Sequence, residues 1–152
     1  MKLLQGRGVI AGRGKGPALI SRTPINFTAA LTKLQNLIPG RRAEVQDRHH
    51  ELYKQNIKGT VLVFPACIGS TYTGMVLLEI MYRRVSPAAM IVLEADSLLV
   101  SGSAIAKVLF DCGIPIVEYP SDDLFDQIQP GDTLEVDGAT GEIRISPADS
   151  AR

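Results

Sequence analysis

Gly59-Thr60-Val61-Leu62-Val63-Phe64-Pro65-Ala66-Cys67-Ile68-Gly69-Ser70-Thr71-Tyr72-Thr73-Gly74 passes from an unbroken β-branched and apolar run, through a turn, into residues of helical spacing. A strand buried on both faces needs such a continuous run, because water reaches neither side of it. Residues 60–64 therefore predict a buried strand, 65–70 a turn and 71–84 a helix. Val76, Leu77, Ile80 and Met81 fall on one face of that helix, and Arg83-Arg84 occupy its last turn, where cations suit the helix dipole. Pro87 then breaks the segment.

Toward the C-terminus the pattern repeats. Met90-Ile91-Val92-Leu93 reads as a second buried strand. Ser101 or Ser103 is a fitting cap for a helix that runs to Cys112 and ends at Gly113. Residues 114–119 read as a third strand, with Pro115 placing it at an edge or near a strand start. The result is a β-α-β-α-β series, which predicts a parallel sheet with right-handed crossovers. Pro130-Gly131-Asp132 is a turn signal, and 133–137 and 142–145 alternate around Gly138 and Gly141, which predicts a β-hairpin. Residues 147–152 are expected to fray.

Toward the N-terminus the signals are weaker. Residues 41–58 are polar, hold both histidines and read as an exposed insertion or partner-facing loop. Ala29, Ala30, Leu31, Leu34, Leu37 and Ile38 follow a helical spacing that Pro39-Gly40 stops. Pro17-Ala18-Leu19-Ile20-Ser21 reads as a short strand. Residues 6–16 hold five glycines with Arg7, Arg13 and Lys15 among them and read as a flexible turn or bulge. Gly12-x-Gly14-x-Gly16 lacks the dinucleotide spacing, and Lys15 followed by Gly16 is not a Walker loop.

The whole chain, 1–152, reads as one α/β domain. Sixteen basic residues balance sixteen acidic ones, so there is no electrostatic footprint for nucleic acid or anionic lipid. Trp is absent and aromatics are few, which argues against a base-stacking surface. No apolar run is long enough to span a bilayer, and the first residues lack a signal-peptide core. Two cysteines, Cys67 and Cys112, make neither a disulfide framework nor a complete metal site and fit reduced thiols of a cytoplasmic protein. Cys67 would be redox-sensitive were its thiol acidified by the following helix, although packing is the simpler role.

The turn at 65–70 is where chemistry is expected. Ligands of open α/β sheets bind at the carboxyl ends of the strands. The first N–H groups of a helix are unpaired and attract carboxylate or phosphate. Gly69 permits close approach, and Ser70, Thr71 and Thr73 add hydroxyls. The plainer alternative is that Ser70 caps the helix. The Gly-x-Ser-x-Gly elbow is missing, because position 72 is Tyr72. A serine-hydrolase triad would have to draw on His49 or His50, which otherwise read as a solvated pair. Adjacent residues point in different directions, so the two do not share one metal.

The 58–65 strand, Gly69-Ser70-Thr71 and Val76-Leu77-Leu78-Glu79 resemble the swivelling domain of aconitase X. Residues 12–21, Pro24-Ile25-Asn26-Phe27, His50, 87–92, 112–117 and the closing Gly131-Asp132 hairpin fit the same family, so the resemblance spans 6–145. It implies a swivelling β/β/α domain in a small subunit, completed by a large subunit that carries an iron–sulfur cluster. None of that cluster is expected on this chain. The family comprises hydro-lyases, so the resemblance implies dehydration of a hydroxy acid or a cis-3-hydroxy-L-proline-like substrate, with a phosphomevalonate dehydratase small subunit as the alternative. The resemblance implies that Ser70 is the base that removes the substrate proton. Gly69, Thr71 and Thr73 around it would hold the substrate's acidic group. A non-catalytic assembly or regulatory subunit is the alternative role. The chain departs from the family at Ile68, where an arginine is common, and at Asn26, where a serine is usual. Arg13, Lys15 or a partner residue is the expected source of the missing charge.

Overall fold

A computed structural model describes residues 1–32 and 42–148. Eight strands, β1 (Lys2–Gln5), β2 (Arg7–Ile10), β3 (Arg13–Ile20), β4 (Val61–Phe64), β5 (Ala89–Val92), β6 (Ile116–Glu118), β7 (Thr133–Asp137) and β8 (Glu142–Ser146), hydrogen-bond in the order β1-β8-β7-β3-β4-β5-β6-β2. The helices among the described residues are α1 (Phe27–Leu31), α2 (Thr73–Tyr82), α3 (Ser97–Phe110) and α4 (Leu124–Gln127). As the sequence predicts, β4, β5 and β6 are parallel and linked through α2 and α3, and β7 and β8 form an antiparallel hairpin.

β3 joins two halves. Its first part, Arg13 to Pro17, pairs antiparallel with β7, whereas Ala18 to Ile20 pair parallel with β4. The sheet also folds back on itself: β1 pairs with β8 at one end and β2 with β6 at the other, and only Gly6 separates these two strands. The halves stack, and helices cover one of them. Alternation along β4 sorts its side chains accordingly. Leu62 and Phe64 pack with Leu77, Ile80 and Leu99 on the helical side, while Val61 and Val63 pack with Leu134, Val136 and Ile143 between the sheets. All four β4 residues are fully buried, which explains why the strand reads as a continuous apolar run. Phe27 and Phe64 meet edge to face at 5.6 Å, adding about 1 kcal/mol beyond their buried area.

Several expectations from sequence are corrected. The glycine-rich segment is strand rather than flexible turn, although a register irregularity does lie between Gly8 and Ile10. Its glycines permit close contact between elements: a Cβ at Gly14 would stand 2.1 Å from the Ala88 carbonyl oxygen, and one at Gly16 2.2 Å from that of Gly59. Residues 2–5, unassigned from sequence, form β1. The cap of α3 is Asp96, whose side chain accepts from Leu99 N–H at 2.9 Å, not Ser101 or Ser103. Ser103 is instead fully buried and binds both the Ile114 carbonyl (2.7 Å) and the Ile114 N–H (2.9 Å). The helix ends at Phe110, two residues before Cys112, because Asp111 adopts the left-handed conformation, φ +51°. The segment 42–58 is not a free insertion, since Ala43, Val45, Leu52 and Ile57 lie in the core. Of the helical spacing over 28–38, α1 accounts for Ala29, Ala30 and Leu31; Leu34, Leu37, Ile38 and the Pro39-Gly40 stop lie outside the described residues, as does 149–152 of the tail.

Candidate functional site

The parallel strands all end at one edge of the sheet, and the 65–72 loop projects from it. Leu93 and Glu94 N–H donate to the Pro65 carbonyl, both at 3.0 Å, tying the loop to the end of β5. On its other side the loop pairs with Ile25: Ile25 N–H donates to the Ala66 carbonyl and Ile68 N–H to the Ile25 carbonyl, both at 3.0 Å. Cys67 faces inward from this pairing, 9% exposed. Burial, followed by the Asp96 charge, pushes its thiol up to about 12. It is therefore a packed, unreactive thiol, and the helix does not acidify it.

Beyond Cys67 the loop opens to solvent. Gly69 takes φ +94°, a conformation that side chains with a Cβ avoid. Ser70 is half-buried; its Oγ accepts from Tyr72 N–H at 3.1 Å. Its carbonyl accepts from Thr73 N–H (3.2 Å) and Thr73 Oγ1 (2.8 Å). Ser70 lies two residues ahead of Tyr72, the N-cap of α2, so its side chain closes a local turn rather than capping the helix. Thr71 is exposed, whereas Thr73 is 1% exposed and spends its hydroxyl on the Ser70 carbonyl. The N–H groups of Gly69, Ser70 and Thr71 donate to nothing among the described residues. The loop thus presents three open backbone donors and one hydroxyl at the start of a ten-residue helix. Unpaired N–H groups at a helix start are the kind of donor set that suits an anion.

Ile68, 52% exposed, Tyr72 and Met75 surround that opening with apolar surface. Neither cation of β3 stands beside this loop. Arg13 and Lys15 lie toward the start of β3, five to seven residues from its end at Ile20, so about 17–23 Å along the strand. Arg13 pairs with Asp137 at 3.2 Å and Lys15 with Glu135 at 2.7 Å.

A second polar cluster occupies the same edge, and sequence reading missed it. The fully buried Ser21 places its Oγ 2.8 Å from Glu51 Oε1 and 3.3 Å from His50 Nε2; Thr23 Oγ1 is 3.1 Å from the same ring nitrogen. His50 Nδ1 accepts from Leu52 N–H at 3.1 Å. In the neutral ring the proton must then sit on Nε2, which donates to the hydroxyls and cannot take their protons. This is no hydrolase triad. His50 is a half-buried tie to the end of β3 rather than half of a solvated pair, while His49 is exposed. Burial by itself would raise the Glu51 carboxyl, but bonds from Ser21, Thr23 and Arg22 outweigh it and hold it below its ordinary 4.5. The only sequence signal for this cluster is His50 itself, since nothing in spacing brings residues 21 and 51 together.

Two stacked sheets beneath a helical layer, with the 65–72 loop at the strand ends, define a β/β/α domain of the swivelling type. The chain belongs to the aconitase X swivel domain family, whose model matches residues 3–145. It is 37% identical over 94% of its length, and 98% of the relative's, to the phosphomevalonate dehydratase small subunit of Methanocella arvoryzae. It is 34% identical to that of Methanothermobacter thermautotrophicus, covering 91% of this chain and 96% of the relative. The crystal structure of Thermococcus kodakaraensis aconitase X in its holo form superposes with a TM-score of 0.79 at 28% identity, covering 95% of this chain and 98% of that one.

Proposed function

We propose that this chain is the small subunit of an aconitase X type hydro-lyase, that its substrate is a phosphorylated 3-hydroxy acid of the phosphomevalonate type, and that Ser70 is the base. The observation that carries the reading is the 69–71 loop, where an accessible hydroxyl adjoins three unpaired N–H groups at a helix start. The relatives named phosphomevalonate dehydratase small subunit, aligned over nearly their full length, favour this substrate over a hydroxyproline.

The chemistry follows from the loop. A serine is a poor base unless its alkoxide is stabilised. Tyr72 N–H donates to Oγ, and the N-terminal end of α2 supplies partial positive charge. As the alkoxide, Oγ takes the proton from the carbon beside the substrate carboxylate and becomes a neutral hydroxyl, those electrons form the carbon–carbon double bond, and the neighbouring hydroxyl departs as hydroxide, which an acid outside this chain would take up. Gly69 and Thr71 hold the substrate's oxyanion through their N–H groups, and Thr73 acts from behind by fixing the Ser70 carbonyl.

The family's iron–sulfur cluster does not fit this chain's residues. Cys67 and Cys112 are buried in separate elements, and no three His, Cys, Asp or Glu gather at metal-binding distance among the described residues. The reading places the cluster, and the acid that receives the departing hydroxide, in a large subunit. Such a subunit would also cover the apolar rim of Ile68, Tyr72 and Met75. No described helix is long and apolar enough to cross a membrane, and the reading places the complex in the cytoplasm.

The test is Ser70→Ala in the co-purified two-subunit complex. Assembly is expected to persist while turnover of 5-phosphomevalonate falls by about 10²–10⁴-fold, the range for loss of a general base. Turnover within tenfold of wild type would remove the base assignment. Activity on cis-3-hydroxy-L-proline alone would return the substrate to the hydroxyproline class.

A further inference from the structure

Asn26, which precedes α1, reaches the loop from the neighbouring segment. Its Oδ1 accepts from Ala29 N–H at 3.1 Å. A backbone N–H can meet only an oxygen, so this bond decides which end of the amide is which. The opposite end, Nδ2, lies against Gly69: a Cβ there would be 2.3 Å from it. The backbone around the contact is set by the Ile25–Ala66 and Ile25–Ile68 bonds. Nδ2 has no acceptor among the described residues and is not sealed from solvent. One residue away are the open N–H group of Ser70 and the Ser70 hydroxyl. Every group presented here is neutral and able to donate, and 65–72 contains no cation.

We propose that Asn26 is a substrate-binding residue, its Nδ2 donating to an oxyanion of the substrate held over residues 69–71. The five-residue α1 is too short to supply the field by itself, so the donor is the side-chain amide. The oxyanion is a carboxylate or a phosphate, which offer the same acceptor chemistry. The inference rests on the dehydratase reading, but the two are tested by different parameters: Ser70→Ala acts on kcat, whereas removal of the Asn26 donor acts on KM.

The decisive variant is Asn26→Asp in the two-subunit complex. Asp is as good a helix cap as Asn, so the Ala29 bond and the Tm are retained while the donor becomes an anionic acceptor. KM for 5-phosphomevalonate is expected to rise at least tenfold with a smaller change in kcat. Asn26→Ser keeps a cap but lacks the reach, and is expected to show an intermediate rise. Inhibition by inorganic phosphate separates the two ends of the substrate: a weaker inhibition in Asn26→Asp assigns the phosphate, an unchanged one the carboxylate. A KM within twofold of wild type overturns the inference, and so does a KM rise matched by a lowered Tm, which would make Asn26 structural only. Should the wild-type complex not turn over, calorimetric affinities for 5-phosphomevalonate replace KM; equal affinities, or binding by neither complex, overturn it.

Discussion

Gly69 shows how one residue sets a loop's chemistry. At φ +94°, with Asn26 Nδ2 where a Cβ would project, it meets a conformational and a steric demand together. Gly69→Ala is expected to cost about 1–3 kcal/mol from the backbone conformation, read as a fall of several degrees in Tm for a chain of this size. It should also displace the Asn26 amide and depress turnover. An alanine variant with wild-type Tm would show that the loop relaxes freely. The residue types of this site were readable from sequence: Gly69, Ser70 and Thr71 stand where a strand meets a helix. Their division of labour was not. Only the structure shows that Thr73 faces inward and that Thr71 is open, because that depends on how the turn at Ser70 is wound.

At the scale of elements, α3 separates a local signal from a tertiary one. Serines near a helix start read as caps, yet Asp96 caps the helix and Ser103 sits inside it, bonded to both polar groups of the Ile114 backbone. That pair of bonds ties α3 to the approach of β6. Ser103→Ala would leave the buried Ile114 N–H and carbonyl unpaired, at a cost of about 1–3 kcal/mol for each group left without a partner. Denaturant unfolding should therefore place Ser103→Ala well below Ser101→Ala, because Ser101 is only partly buried and bonds within its own helix. Equal midpoints for the two would contradict the tie. The strands β4 and β5 and the β7–β8 hairpin were readable because their apolar pattern is a local property. β1 and β2 were not, because short, partly exposed edge segments carry no such pattern.

At the scale of the molecule, the Ser21–Glu51 cluster joins the end of β3 to the segment 42–58, elements thirty residues apart in the chain. The Glu51 carboxyl is held below its ordinary value, so the unfolded chain binds that proton more readily than the folded one. The stability from this group is complete above the ordinary 4.5 and is lost as pH falls through the lower folded value. Glu51→Gln should accordingly flatten the decline of Tm below about pH 4.5, leaving the slope above pH 6 unchanged; an identical acid slope would dismiss the tie. The sequence by itself determined the parallel β-α-β-α-β series, the hairpin and the glycine–serine loop between β4 and α2, because alternation, apolar runs and glycine positions act over a few neighbouring residues. Tertiary structure alone decided that β1 and β2 close the sheet, that 42–58 packs inward, and that Asn26 and Glu51 reach the strand ends. Those outcomes depend on contacts between distant segments, which are set when two sheets and a helical layer bury their surfaces together and which no local pattern records.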